Sequence, residues 1–266
     1  MNPAVDSTPP AAPPPGGFAA DLSGRIAIVT GASSGLGARF ATVLARSGAR
    51  VVAAARRGDR LAALAAEVGG IEPVLCDVTD PSDRERLVQG TLEEHGRVDI
   101  LVNNAGHGAT GTPLEETLDS FERDIALNLT APFVLAQMCG RHMVDRGSGS
   151  IINIASILGL GSGAPVSQPS YAASKGGIVN LTRELAVALG RTGVRVNAIA
   201  PGWFATEATA GVFDNEKGRG WVARHTPMGR GGRDGELDGV LLLLASDASS
   251  YLTGQTLVVD GGWTAR

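Results

Sequence analysis

Tyr171 and Lys175 stand four residues apart in Ser170-Tyr171-Ala172-Ala173-Ser174-Lys175, a segment that reads as helix. Positions i and i+4 share one helix face, so both side chains can reach one pocket. A cation beside a phenol favours the phenolate and lets tyrosine exchange a proton below its usual pKa of about 10. The same spacing falls on many solvated helix faces. Its weight here comes from three further motifs, at Thr30–Gly37, Asn103–Gly106 and Ile151–Ser156.

The first of these is Thr30-Gly31-Ala32-Ser33-Ser34-Gly35-Leu36-Gly37, directly after an apolar run. Glycines in a strand-to-helix turn permit a tight bend and close approach of the backbone to a pyrophosphate at the positive end of the helix. Gly31, Ser33, Ser34, Gly35, Leu36 and Gly37 are therefore candidate dinucleotide contacts, although a glycine turn can be only a turn. About 20 residues past such glycines a carboxylate would take the ribose 2′-OH of NAD. This chain has Ala55-Arg56-Arg57 there, two cations and no acid. That favours the 2′-phosphate of NADP, with NAD possible and Arg56 the better candidate; the alternative is a pair of solvated loop charges. Cys76-Asp77-Val78 ends a third apolar run. Asp77 is placed to accept from the adenine amino group, with Val78 beside it, or else to cap the helix that begins near Pro81.

These residues need a scaffold that repeats strand and helix. Strand candidates are Ile26–Thr30, Arg50–Ala55, Ile71–Leu75, Asp99–Val102, Ser150–Ala155, Arg195–Ala200 and Thr256–Val259. Several are nearly continuous runs of Val, Ile, Ala and Leu, as strands buried on both faces require. Helical segments Gly35–Ser47, Arg60–Val68, Ser82–Glu94, Leu118–Val144 and Tyr171–Leu189 lie between them. Alternation predicts an α/β fold: one doubly wound, Rossmann-type, seven-stranded parallel sheet with helices on both faces. The stretch Trp203–Arg233, after the sixth strand, is where a lid would sit.

The ordered set of motifs resembles the short-chain dehydrogenase/reductase family over nearly all of Leu22–Gly262, and within it the gluconate 5-dehydrogenase and ketoacyl reductase-like branch. Asn103-Asn104-Ala105-Gly106 is similar to the family's fourth-strand motif, which brings Asn104, Ala105 and Gly106 to the cofactor. The resemblance implies a catalytic set of Asn128, Ser156, Tyr171 and Lys175. In that set Tyr171 passes a proton to or from a carbonyl oxygen during hydride transfer, and Ser156 holds the same oxygen. Lys175 lowers the tyrosine pKa and bonds the nicotinamide ribose, and Asn128 holds a relay water. It also implies cofactor contacts at Pro201, Gly202 and Thr206, in the segment that closes over the nicotinamide. Asn128 at a helix kink and Ser156 as a strand-end cap are the structural alternatives. The spacing from Ser156 to Tyr171 is two residues longer than is usual in the family, and the addition falls in Leu160–Pro165, bordering the substrate.

Phe204-Ala205-Thr206-Glu207, Trp221 and His225–Arg230 resemble the branch that acts on sugar acids or polyols, but ketoacyl and broad carbonyl reductases share these pieces. The expected substrate is therefore a small carbonyl or alcohol. A catalytically silent dinucleotide-binding scaffold is the non-enzyme alternative. Trp203 and Phe204 form either an apolar wall of the pocket or the buried side of a lid, and His107 either faces the pocket or is a loop donor. The net charge of −4, with both signs dispersed, carries no footprint for nucleic acid or an anionic membrane. The lone Cys76 and Cys139 read as reduced thiols of a cytoplasmic protein, and no metal-ligand spacing is present. Residues 1–20, rich in proline, read as a disordered tail or a proline-rich ligand, and 21–266 as one dinucleotide-binding domain. In the family the helices at Leu118–Val144 and Tyr171–Leu189 pair across two-folds, which implies a homotetramer or homodimer.

Overall fold

A computed structural model describes residues 19–108, 112–163 and 167–266. Most of the proline-rich segment, and Ala164 and Pro165 of the lengthened loop, lie outside the described residues. Seven strands form one sheet in the order β3-β2-β1-β4-β5-β6-β7, every neighbouring pair parallel. They are β1 Ile26–Thr30, β2 Arg50–Ala55, β3 Ile71–Leu75, β4 Ile100–Asn103, β5 Gly149–Ile154, β6 Val194–Pro201 and β7 Thr256–Val259. The helices are α1 Gly35–Arg46, α2 Gly58–Glu67, α3 Pro81–His95, α4 Leu118–Ile125, α5 Ala131–Arg146, α6 Pro169–Leu189, α7 Ala210–Phe213, α8 Glu216–His225 and α9 Asp238–Ala245.

The period-2 alternation of side chains divides the central strands between two cores. Ala27 and Val29 of β1 pack with Phe40 and Leu44 of α1 and Leu241 and Leu244 of α9. Ile28 faces the other way, with Leu87 and Val88 of α3 and Leu135 and Met143 of α5. Both faces of the sheet are covered, which is why the central strands are mostly apolar. The strand order reverses between β1 and β4. Loops leaving the carboxyl ends of these two strands diverge there and open a crevice.

The expected helix Leu118–Val144 is not continuous. Residues Ala126–Thr130 form one π turn between α4 and α5, with the Ala131 amide donating to the Ala126 carbonyl. Pro132 has no N–H to give the carbonyl of Asn128, so the α pattern cannot run through this point. The insertion rotates Asn128 inward, where it is fully buried.

Candidate active site

The site grows from the end of β1. Gly31 has φ +67°, a conformation that suits glycine, and a Cβ there would meet Ala105 Cα at 2.8 Å and Asn104 Nδ2 at 2.9 Å. A Cβ at Gly37 would collide with the Gly31 carbonyl. The loop is clamped by the end of β4. Asn104 Nδ2 donates to the Thr30 carbonyl at 2.9 Å, and the amides of Asn104 and Ala105 donate to Thr30 Oγ1 at 3.0 and 3.1 Å. Ser34 is the N-cap of α1, yet its side chain does not cap the helix. Bare glycine backbone and an uncapped helix N-terminus are what a pyrophosphate requires, so these residues fit the expected dinucleotide.

A cleft of about 790 Å³ runs from this loop across the carboxyl ends of the strands. Every residue expected at the cofactor or in catalysis lines it, Asn128 excepted: Gly31, Ser33–Gly37, Arg56, Asp77, Val78, Asn104–Gly106, Ser156, Tyr171, Lys175, Pro201, Gly202 and Thr206. Asn128 lies just beneath, where a Cβ on Gly106 would come within 3.1 Å of Asn128 Oδ1 and 3.4 Å of Lys175 Nζ. Asn128 accepts from the His107 amide at 3.0 Å and donates to the His107 carbonyl at 2.7 Å and Ser174 Oγ at 3.0 Å. It thus pins the end of the β4 loop to α6.

Ser156 follows β5 and its Oγ accepts from the Leu158 amide at 3.1 Å. The capping reading of this serine is correct, and the same side chain also hydrogen-bonds Tyr171. Lys175 is buried and donates to the Ile154 carbonyl at 2.7 Å, with its ammonium 5.5 Å from the centre of the Tyr171 ring. Burial pushes the lysine pKa down from 10.5 to about 8. Tyr171 goes the opposite way from the sequence expectation. Desolvation raises its pKa, the Ser156 hydrogen bond opposes the rise, and the Asp124 carboxylate adds to it. In this cleft, desolvation is the largest influence on both groups and favours the neutral form of each.

Two further polar groups were not legible as site elements in the sequence. Asp124, one helical turn before Asn128, is buried and accepts from Ser170 Oγ at 2.7 Å, with His107 Nδ1 at 3.4 Å. An amide chain links the strands beneath the site: Asn103 Nδ2 donates to Asn153 Oδ1 at 2.9 Å, and Asn153 Nδ2 donates to Thr182 Oγ1 at 3.0 Å. The i, i+4 spacing of Asp124 and Asn128 is the signal that would have found the first; nothing local marks the second.

At the adenosine end, Arg56 is exposed, whereas Arg57 is the more firmly held cation. Arg57 donates from Nε to Ser33 Oγ at 3.1 Å, from Nη2 to Ser34 Oγ at 2.6 Å, and from Nη1 to Glu207. Asp77 does not cap α3; Asp80 does, accepting from the amides of Ser82 and Asp83, while Asp77 takes the Thr79 amide and hydroxyl. On the lid side, Phe204 is buried in the core. Trp203 meets Trp221 and Trp263 edge-on, with ring centroids 5.4 and 5.8 Å away, and also lines the cleft. Phe204 lines the cleft as well, so for both residues the two readings coexist.

Residues 31–264 match the family model described as enoyl-(acyl carrier protein) reductase. Gluconate 5-dehydrogenase of Gluconobacter oxydans is 39% identical over 252 residues, covering 91% of this chain and 96% of that protein. A short-chain type dehydrogenase/reductase from Mycobacterium marinum is 40% identical, with a TM-score of 0.88 over 92% of this chain and 98% of its own. The gluconate 5-dehydrogenase from Burkholderia cenocepacia, solved with NADP and tartrate, is 35% identical with a TM-score of 0.86, covering 92% of this chain and 97% of its own.

Proposed function

The chain belongs to the short-chain dehydrogenase/reductase family, and from that premise we propose that it works with NADP in preference to NAD on a small polar ketone or the matching secondary alcohol. It is an NAD(P)-dependent oxidoreductase that interconverts a carbonyl and an alcohol. The observation that supports the catalytic assignment is the convergence of Ser156, Tyr171 and Lys175 on the same cleft as the glycine cradle.

Gly31, Ser33–Gly37, Asp77, Val78, Asn104–Gly106, Pro201, Gly202 and Thr206 would hold the dinucleotide, which when bound would supply or accept the hydride. The remaining chemistry belongs to the chain. Tyr171 carries the proton to or from the substrate oxygen, its phenol lining the cleft beside Ser156. Ser156, already bonded to that phenol, holds the same oxygen in place. Lys175 stands beneath the pair with its ammonium facing the phenol ring. A charged neighbour there offsets the desolvation of the phenolate. Asn128 positions the floor by tying His107 to Ser174.

NADP preference is supported by the two arginines after β2, by the absence of an acid there, and by the NADP complex of the Burkholderia relative. Charge-assisted bonds from an arginine to the 2′-phosphate are worth about 1.5–3 kcal/mol before screening. A sugar acid or polyol is the favoured substrate class, after the gluconate 5-dehydrogenases among the relatives. A ketoacyl thioester is the second reading, favoured by a 36% identical relative, the 3-oxoacyl-[acyl-carrier-protein] reductase of Thermotoga maritima. Residues 21–266 act as one dinucleotide-binding domain in the cytoplasm, as a homodimer or homotetramer. Among the described residues no helix is long and apolar enough to cross a membrane.

Turnover of sugar acids, polyols, ketoacyl thioesters and aryl ketones, each with NADPH and with NADH, tests the whole reading. A kcat/KM higher with NADPH, by about tenfold at low salt, is expected; equal values overturn the cofactor assignment, and no turnover of sugar acids or polyols overturns the substrate class.

A further inference from the structure

Near the glycine loop, the cleft is lined by an ion pair that joins two distant parts of the chain. Arg57, at the start of α2, donates from Nη1 to both carboxylate oxygens of Glu207, at 3.0 and 2.9 Å. Arg60, one turn further along α2, reaches the same carboxylate at 3.1 Å. Glu207 opens the short 3₁₀ turn Glu207–Thr209, immediately after Thr206 and before α7, so it belongs to the lid side of the cleft. Arg57 spends its other donors on Ser33 and Ser34 of the glycine loop. Arg56 makes none of these bonds. The guanidinium is thus aimed over the glycine loop and already carries an anion.

Carboxylate and phosphate are the two anions that an arginine fork binds in the same way. We infer that Glu207 is a specificity-determining residue: it is the internal counter-anion of Arg57, standing where a ribose 2′-phosphate would have to bind, and it sets how strongly the enzyme prefers NADP. This rests on the reading of the site as a dinucleotide cleft with an arginine at the 2′-position, and it moves the phosphate contact from Arg56 to Arg57. A phosphate-bearing ligand must displace Glu207 or share Arg57 with it. A ligand with a free 2′-OH brings no competing anion and leaves the pair intact. All three side chains are between one third and about one half exposed, at 39%, 47% and 53% for Arg57, Arg60 and Glu207. An exposed pair of this kind holds its partners by only a few-fold in equilibrium constant. Glu207 is therefore a displaceable competitor. Because it sits on the lid, phosphate binding also frees the Thr206–Thr209 turn from α2.

The test is equilibrium binding by calorimetry of adenosine 2′,5′-bisphosphate and 5′-AMP, which carry the adenosine end without the reacting ring. Wild type, Glu207→Gln, Arg57→Ala, Arg56→Ala and the double variant Arg57→Ala/Glu207→Gln are compared at low salt. Glu207→Gln is expected to tighten the bisphosphate by about 3- to 10-fold and leave 5′-AMP unchanged. Arg57→Ala should remove the preference for the bisphosphate, and in that background Glu207→Gln should have no further effect. The inference is overturned if Glu207→Gln leaves bisphosphate binding unchanged or weaker, if both ligands tighten equally, or if Arg56→Ala rather than Arg57→Ala removes the preference. The cofactor reading fails on a different result, a wild type that binds the bisphosphate no tighter than 5′-AMP. If Glu207→Gln then creates a preference, the counter-anion role stands although the native enzyme is not NADP-selective.

Discussion

At the scale of single residues, the cleft presses its two central groups toward neutrality, and this has measurable consequences. Tyr171→Phe keeps the ring that packs against the loop at Gly108 but loses the proton. It is expected to lower kcat by about 10²–10⁴-fold with little change in cofactor Kd. Near-normal turnover would show that another group is the acid. Lys175 gives a prediction for the protein measured without cofactor. Its folded pKa is about 8 against 10.5 for the free side chain. Between these values the unfolded chain binds more protons than the folded one, so this residue makes stability rise with pH from about 8 upward. The rise ends above about 10, where the raised pKa of Tyr171 begins to act with the opposite sign. Lys175→Met should remove that slope. Melting temperatures of both proteins between about pH 7 and 10 check it, and the variant's advantage should shrink as pH rises. A pH-independent difference would mean that Lys175 is not the buried cation described.

At the scale of elements, the working geometry depends on contacts between strand ends rather than within them. The Asn104 side chain ties the β4 end to the glycine loop after β1, and Gly31 admits Ala105 only because it has no Cβ. Gly31→Ala is expected to destabilise the fold by about 1–3 kcal/mol through overpacking, with added strain from its positive φ. It should also weaken dinucleotide binding by more than about tenfold. Urea denaturation and calorimetric titration measure the two effects. A fully stable variant with normal binding would show that the loop does not need the close approach. The π turn at Ala126–Thr130 is the other such device. It costs two helices their continuity and places Asn128 under the cleft, a position that a straight helix through Pro132 could not provide.

At the scale of the whole molecule, apolar side chains remain exposed on the helices expected to pair. Leu118 and Phe121 of α4, Phe133 of α5 and Val187 of α6 are 68%, 37%, 40% and 83% exposed. Such residues on adjoining helices suit a buried interface between copies better than water. The protein is expected to scatter light as a dimer or tetramer at micromolar concentration. Phe121→Arg together with Val187→Arg should shift it to a smaller species. A wild-type monomer would defeat this assembly, and an unchanged oligomer in the double variant would move the interface elsewhere.

Much of this molecule is decided locally and is legible in its linear order. Strands such as Ile26–Thr30 and Val194–Pro201 are apolar because both faces of the sheet are covered, and that pattern survives in one dimension. The glycine spacing after β1 and the four-residue step from Tyr171 to Lys175 are local too, since a turn and a helix each fix geometry over a few residues. What the linear order could not decide is which groups meet from far apart, and how water is excluded around them. Arg57 and Glu207 are separated by 150 positions, and only the folding of the lid against α2 makes them a pair. Asp124 reads as a surface acid until α4 is packed against α6. The sign of the Tyr171 shift likewise follows from burial, which is a property of the closed cleft and not of the tyrosine and lysine alone.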